Sequence, residues 1–129
     1  MSNIKTYTAK ATWFSDAEVT LQVDHDRLTP EVAKEINGFW SNSDSRLAAE
    51  DENVVRTVIR MFGARAIALA MQEGGWDFSN QPHAAGLRTA QDVIDSFGEG
   101  WPNAEELGIS VTDASVDYVG FDDVELEAA

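Results

Sequence analysis

Between residues 17 and 40 the hydrophobic period of the chain changes from that of a strand to that of a helix. No other feature constrains the fold as much. Val19, Leu21 and Val23 alternate with Glu18, Thr20, Gln22 and Asp24. One face is apolar and the other polar, as in a half-buried strand. Thr29-Pro30-Glu31 then signals a helix start. Thr29 can cap, Pro30 suits the first helical position, and Glu31 favours the positive end of the helix dipole. Val32, Ile36 and Phe39 or Trp40 follow at helical spacing.

The flanking segments extend this pattern. Residues 4–14 (IKTYTAKATWF) are rich in strand formers, and Tyr7, Ala9, Ala11 and Trp13 alternate. With Ser15-Asp16 as the turn, they form a hairpin with 17–24. Ser43 is placed to cap a short turn through Leu47. A long helix is expected over about 51–73, with Val54, Val55, Val58, Ile59, Phe62, Ala66, Leu69 and Ala70 as a broad apolar stripe. Glu52, Arg56 and Arg60 lie four apart on another face, and Gly74-Gly75 ends the helix. Residues 76–88 read as loop. A short helix over about 89–98 has Thr89 as cap and Val93, Ile94 and Phe97 as its buried face.

Residues 99–107 read as irregular. Ile109 and Val111 alternate, and after Asp113 the phase moves to Ala114, Val116 and Tyr118. Such a shift implies a β-bulge. Val124, Leu126 and Ala128 point one way in an expected last strand. The order β-β-α-α-α-β-β implies an α+β fold, with about three helices packed on one face of an antiparallel sheet made by the N-terminal hairpin and the C-terminal strands. A chain of 129 residues fits one domain, 1–129.

Four Trp, six Phe and two Tyr supply bulk for a core. The absence of cysteine favours a reducing compartment. MSNIKTYTAK lacks the apolar run of a signal peptide, and no stretch has the roughly 20 apolar residues of a membrane span. A cytoplasmic protein is expected.

Catalytic and cofactor signals are weak. Asp24-His25-Asp26 looks like a ligand cluster, but the only other histidine, His83, falls in the expected loop, and no zinc-ligand spacing occurs. Asn42-Ser43-Asp44 and Asp122-Asp123-Val124-Glu125 are fragments of calcium loops without the central Gly or the closing Glu. No G-x-S-x-G elbow is present. Gly74-Gly75 and Gly98-Glu99-Gly100 lack the lysine and the setting of a phosphate loop. No enzyme, metal or cofactor is expected. Arg56, Arg60 and Arg65 form the basic cluster of the long helix, which pairing with Glu52 and neighbouring acids explains best, with a contact patch as the alternative.

The net charge is −14, which argues against direct binding to nucleic acid or anionic membranes. It is uneven. Residues 1–43 and 44–86 each hold six acids and four bases, whereas 87–129 hold eleven acids and only Arg88. On the expected helix, Asp92, Asp95 and Glu99 share one face, opposite Val93, Ile94 and Phe97. On the expected last strand, Asp123, Glu125 and Glu127 share the outer face, about 6–7 Å apart, which is of the order of the phosphate spacing in nucleic acid. Asp113, Asp117 and Asp122 extend the row and Glu105-Glu106 border it. Like charges in register repel, so such a row implies either use or indifference. Used, it imitates nucleic acid against a partner's Arg and Lys, with fast, salt-sensitive binding. Unused, it is a solvated face.

The stretches LTPEVAKEINGFW (28–40), VIRMFGARAIALAMQEGG (58–75) and QDVIDSFGEGWPNAEELGI (91–109) resemble a small bacterial family of unknown function, often encoded on phage and other mobile elements. The resemblance spans most of the chain and carries over no catalytic or binding residue. It implies a context in which small acidic proteins counter host defence or regulate neighbouring functions. The leading expectation is a non-enzymatic binding protein. Its acidic face would block a basic, nucleic-acid-binding protein such as a host defence nuclease complex. The alternative is an accessory or regulatory domain that binds its partner through apolar surface near Trp76 and Trp101, with acidity serving only solubility. Monomer and homodimer both fit the pattern.

Overall fold

The computed structural model describes residues 3–11, 17–74, 76, 82–115 and 125–126, with 82–85 as backbone only. Strands β1 (Ile4–Lys10) and β2 (Glu18–Asp24) form the expected antiparallel hairpin, with Tyr7 opposite Leu21. Strand β3 (Ile109–Ser115) pairs antiparallel with the other edge of β2, so the sheet order is β1-β2-β3. Thr20 faces Asp113 while Leu21 faces Val111, which leaves Thr112 as an extra residue. This is the bulge implied by the change of phase, and it lets Ile109, Val111 and Ala114 all turn toward the core side.

Five helices connect the hairpin to β3: α1 (Pro30–Phe39), α2 (Ser43–Ala49), α3 (Val54–Glu73), α4 (Pro82–Phe97) and α5 (Ala104–Leu107). The fold is α+β, and the described order is β-β-α-α-α-α-α-β. The Thr29 side chain caps α1 by accepting from the Val32 N–H. Asn53 does the same for α3 from Arg56, and Gly74 ends that helix in the left-handed conformation. Asn42, rather than Ser43, occupies the cap position of α2.

Three expectations need correction. Residues 82–88 are not loop, because α4 starts at Pro82 and Thr89 lies inside it. Pro82 takes the first helical position, where its missing N–H costs nothing. Residues 99–107 contain the short helix α5, capped by Asn103. The expected last strand is described only at Glu125 and Leu126. Neither is in a strand, and Leu126 is 99% exposed. Turned outward, it cannot supply the buried apolar row that a half-buried strand needs.

Val19, Leu21 and Val23 of β2 are fully buried, as are Ile109 and Val111 of β3. Helix α3 lies over β1 and β2, α4 lies along β3, and α1 packs on α3. Phe62 of α3 is among the largest wholly buried side chains. Its burial contributes roughly 1.5–3 kcal/mol. The approach of helix to sheet is close. A Cβ built on Gly63 would sit 2.5 Å from the Ala9 Cβ, and one on Gly86 would strike the Val111 carbonyl oxygen. Among the described residues no helix is long and apolar enough to cross a membrane.

Candidate functional site

Helix α4 buries Ala90, Val93 and Ile94, so its helical period turns Asp92 and Asp95 out to solvent, with Glu99 exposed just beyond its end. Short α5 buries Ala104 and Leu107 and so exposes Glu105 and Glu106. Gln91 joins the two helices. Its Oε1 accepts from the Ala104 N–H at 2.8 Å, and its Nε2 donates to Asp95 Oδ1 at 2.9 Å. Asn103 fixes the first turn of α5 by accepting from the Glu106 N–H at 2.9 Å and donating Nδ2 to Glu106 Oε1 at 3.1 Å. The fold thus brings Asp92, Asp95, Glu99, Glu105 and Glu106 onto adjoining elements.

Among the described residues none of these five carboxylates takes part in an ion pair. The nearby guanidinium of Arg27 is turned to backbone. It donates Nη1 to the Glu105 carbonyl at 2.6 Å and lies 3.7 Å from Asp24. The charge of this face is therefore unneutralised and solvent-facing, where screening acts fully.

The other expected members of the acidic row are not gathered here. Asp113 is exposed on β3 opposite Thr20, at the bulge, and its Oδ1 accepts from the Ala114 N–H. Glu125 is exposed outside any strand. Asp117, Asp122, Asp123 and Glu127 lie outside the described residues, as does Trp13.

The two loop tryptophans fold back on the core. Trp101 stacks on Phe97 at 4.4 Å and meets Phe62 at 6.1 Å, while Arg65 caps the other aromatic partner, 4.8 Å from the Phe97 centroid. Trp76 donates Nε1 to Glu73. Both are half-buried. The large apolar side chain most exposed beside this cluster is Phe39, at 52%, edge-on to Trp40.

Arg56 and Arg60 pair with Glu50, each at 3.4 Å, rather than with Glu52. Glu52 sits before the helix with a positive φ, which removes it from the four-residue spacing. His25 meets the Tyr7 hydroxyl through Nε2 at 2.8 Å. His83 lies on α4 rather than in a loop, and its side chain is outside the described residues. Among the described residues no group of three or more His, Asp or Glu could hold a metal ion.

Sequence reasoning missed Gln91, which reads as an ordinary helix-surface residue. It missed Asn103 despite a signal, since Asn103 three residues before Glu106 has the spacing of a capping box.

The chain is similar over its whole length to protein ea10 of Escherichia phage lambda, with 34% identity over 134 aligned positions covering all of both chains. A lambda prophage-derived protein ea10 of Escherichia coli O6:H1 matches with the same identity and coverage. No solved structure matches the chain significantly. The phage context implied by the three resembling stretches is thus met. Residues 18–126 match the family model described as a protein of unknown function (DUF2528), and the chain belongs to that family.

Proposed function

We propose that this protein is a non-enzymatic acidic binding protein. Its α4–α5 face docks on a basic, nucleic-acid-binding surface of another protein and blocks it. One observation carries the reading: five carboxylates on α4, α5 and the turn between them, the two helices joined through Gln91, without an ion pair among the described residues. Asp92 and Asp95 rise along one helix edge by about 4.5 Å, and Glu99 follows just beyond the end of α4. A ladder of unneutralised charge at that spacing suits the Arg and Lys that normally grip phosphates. Relatives in a phage and a prophage fit an inhibitor of a host protein.

The test is a pull-down from a bacterial lysate with the whole chain as bait. The expected catch is a nucleic-acid-binding protein that duplex DNA displaces and that elutes steeply with salt. Replacing Asp92, Asp95 and Glu99 by Asn, Asn and Gln should weaken capture while the circular dichroism spectrum stays unchanged. Capture that survives those substitutions but is lost on Trp76→Ala would instead favour the accessory-domain reading.

A further inference from the structure

On the other side of the sheet's hairpin the charge reverses. Strand β1 is an edge, and among the described residues it pairs only with β2. Its backbone polarity follows from two bonds. The Ala11 N–H donates to Ala17 O, and the His25 N–H donates to Asn3 O. Both pairs involve odd-numbered residues that flank β1 in the same register, Asn3 and Ala11. In an antiparallel ladder the bonded pairs recur at every second residue. Lys5, Tyr7 and Ala9 therefore also face β2, and Ile4, Thr6, Thr8 and Lys10 aim their N–H and C=O groups outward. That row is a template for another strand.

Beside this edge runs a groove of 520 Å³ between β1 and α3. Ala9, Ile59, Ile67 and Met71 contribute apolar lining, and Lys10, Arg56 and Arg60 contribute charge. An adjoining recess shares Tyr7 and Arg56 and adds Lys5 and His25. Four of the nine basic residues of a chain with net charge −14 thus line the groove and its adjoining recess, with the Lys10 ammonium also 3.9 Å from Glu18 on β2. Glu50 is the only acid among the described residues that line them. Arg56 and Arg60 are 57% and 64% exposed, so they remain accessible while paired with Glu50.

We propose that this cleft binds an extended acidic peptide of a partner protein, which adds to β1 as a fourth strand. Backbone bonds to the outward groups of Thr6, Thr8 and Lys10 would supply affinity. Every second side chain of the added strand would face α3 and select the sequence: apolar ones against Ile59 and Ile67, and acidic ones at Arg56 and Arg60. A second copy of the chain would bring two basic rims together. A nucleic acid would find no aromatic stacking row along the floor, and would meet Glu50 and the net negative charge of the whole chain. The proposal is independent of the role given to α4 and α5.

The experiment titrates the full chain into a fluorescein-labelled peptide of Thr-Glu-Thr-Val repeats, which puts Glu and Val on one face of a strand, and follows anisotropy. The same peptide with Lys in place of Glu and an oligo-dT strand serve as competing probes. The acidic peptide should bind and the basic one should not. Thr8→Pro removes an outward donor without breaking a β1–β2 bond, because edge strands accept proline with its nitrogen toward solvent. It should weaken binding by at least about tenfold. The double change Arg56→Glu, Arg60→Glu leaves the edge intact and should do the same, with circular dichroism confirming the fold of each variant. The proposal is overturned by absent peptide binding, by either variant binding as tightly as the parent chain, or by tighter binding of oligo-dT. Sedimentation showing a dimer that Thr8→Pro dissolves would overturn it too, by giving the edge to a second copy.

Discussion

At Gly86 a methyl group has nowhere to go, because a Cβ there meets the Val111 carbonyl oxygen of β3. Helix propensity alone favours Ala over Gly by about 1 kcal/mol. Steric overlap with backbone that a sheet holds in place costs more, typically 1–3 kcal/mol for overpacking. Gly86→Ala should therefore lower the urea midpoint, whereas Gly38→Ala, with open space around it, should not. A second residue, Arg46, binds the end of α1. It donates to the Asn37 side chain at 3.0 Å and to the carbonyls of Asn37, Trp40 and Ser41 at 3.1, 3.3 and 2.6 Å. Asn37 is buried and also donates to the Ser43 carbonyl. Arg46→Ala leaves the buried Asn37 oxygen without its donor and should cost about 1–3 kcal/mol in chemical denaturation. Nothing in the local pattern marks either residue. Gly86 reads as a helix breaker and Arg46 as surface charge until α4 meets β3 and α2 meets α1.

The elements divide by how local their signals are. The hairpin, α1 and α3 follow from patterns within a few residues: alternation in β2, Thr29-Pro30 at α1, and the apolar stripe and Gly74 of α3, whose start at Asn53 rather than about 51 the stripe does not fix. Even the bulge in β3 was visible, since burial of both Val111 and Ala114 requires an extra residue between them. Helices α4 and α5 were misread at their starts. Pro82 and Gly86 are turn residues in isolation, and four residues of α5 carry too little periodicity to register. Short α5 depends on its cap. Removing it by Asn103→Ala should cost about 1 kcal/mol and loosen the amides of Ala104 to Leu107 in hydrogen exchange before the rest of the fold.

For the whole molecule the governing quantity is a net charge of −14 distributed unevenly. Unpaired carboxylates on α4 and α5 repel one another in the folded state more than in the expanded chain. Added salt shortens the Debye length from about 10 Å at 0.1 M to about 3 Å at 1 M. Stability should therefore rise with sodium chloride, and a melting series from low to moderate salt checks this. The Asp92→Asn, Asp95→Asn, Glu99→Gln variant should melt higher than the parent in low salt and respond less to added salt. Independent salt dependence of partner binding, falling as stability rises, would separate the use of this face from its cost.

The sequence by itself determined the class of fold, the hairpin, the two best-capped helices and the excess of late acids, because each rests on interactions within one element or on simple composition. It also marked Asp92 and Asp95 as one helix edge, whereas Glu99, expected on the same face, lies past the end of α4 at Phe97. Only the tertiary structure decided that α5 brings Glu105 and Glu106 beside them through Gln91, and that among the described residues β1 is an edge strand beside a groove lined by Arg56 and Arg60. Both depend on which element lies next to which, and residues far apart in the chain leave no periodic trace of that adjacency. The late acids and the Arg56–Arg60 cluster were both legible in the chain, but that Lys5 and an edge strand lie beside those arginines depends on the packing of α3 on β1.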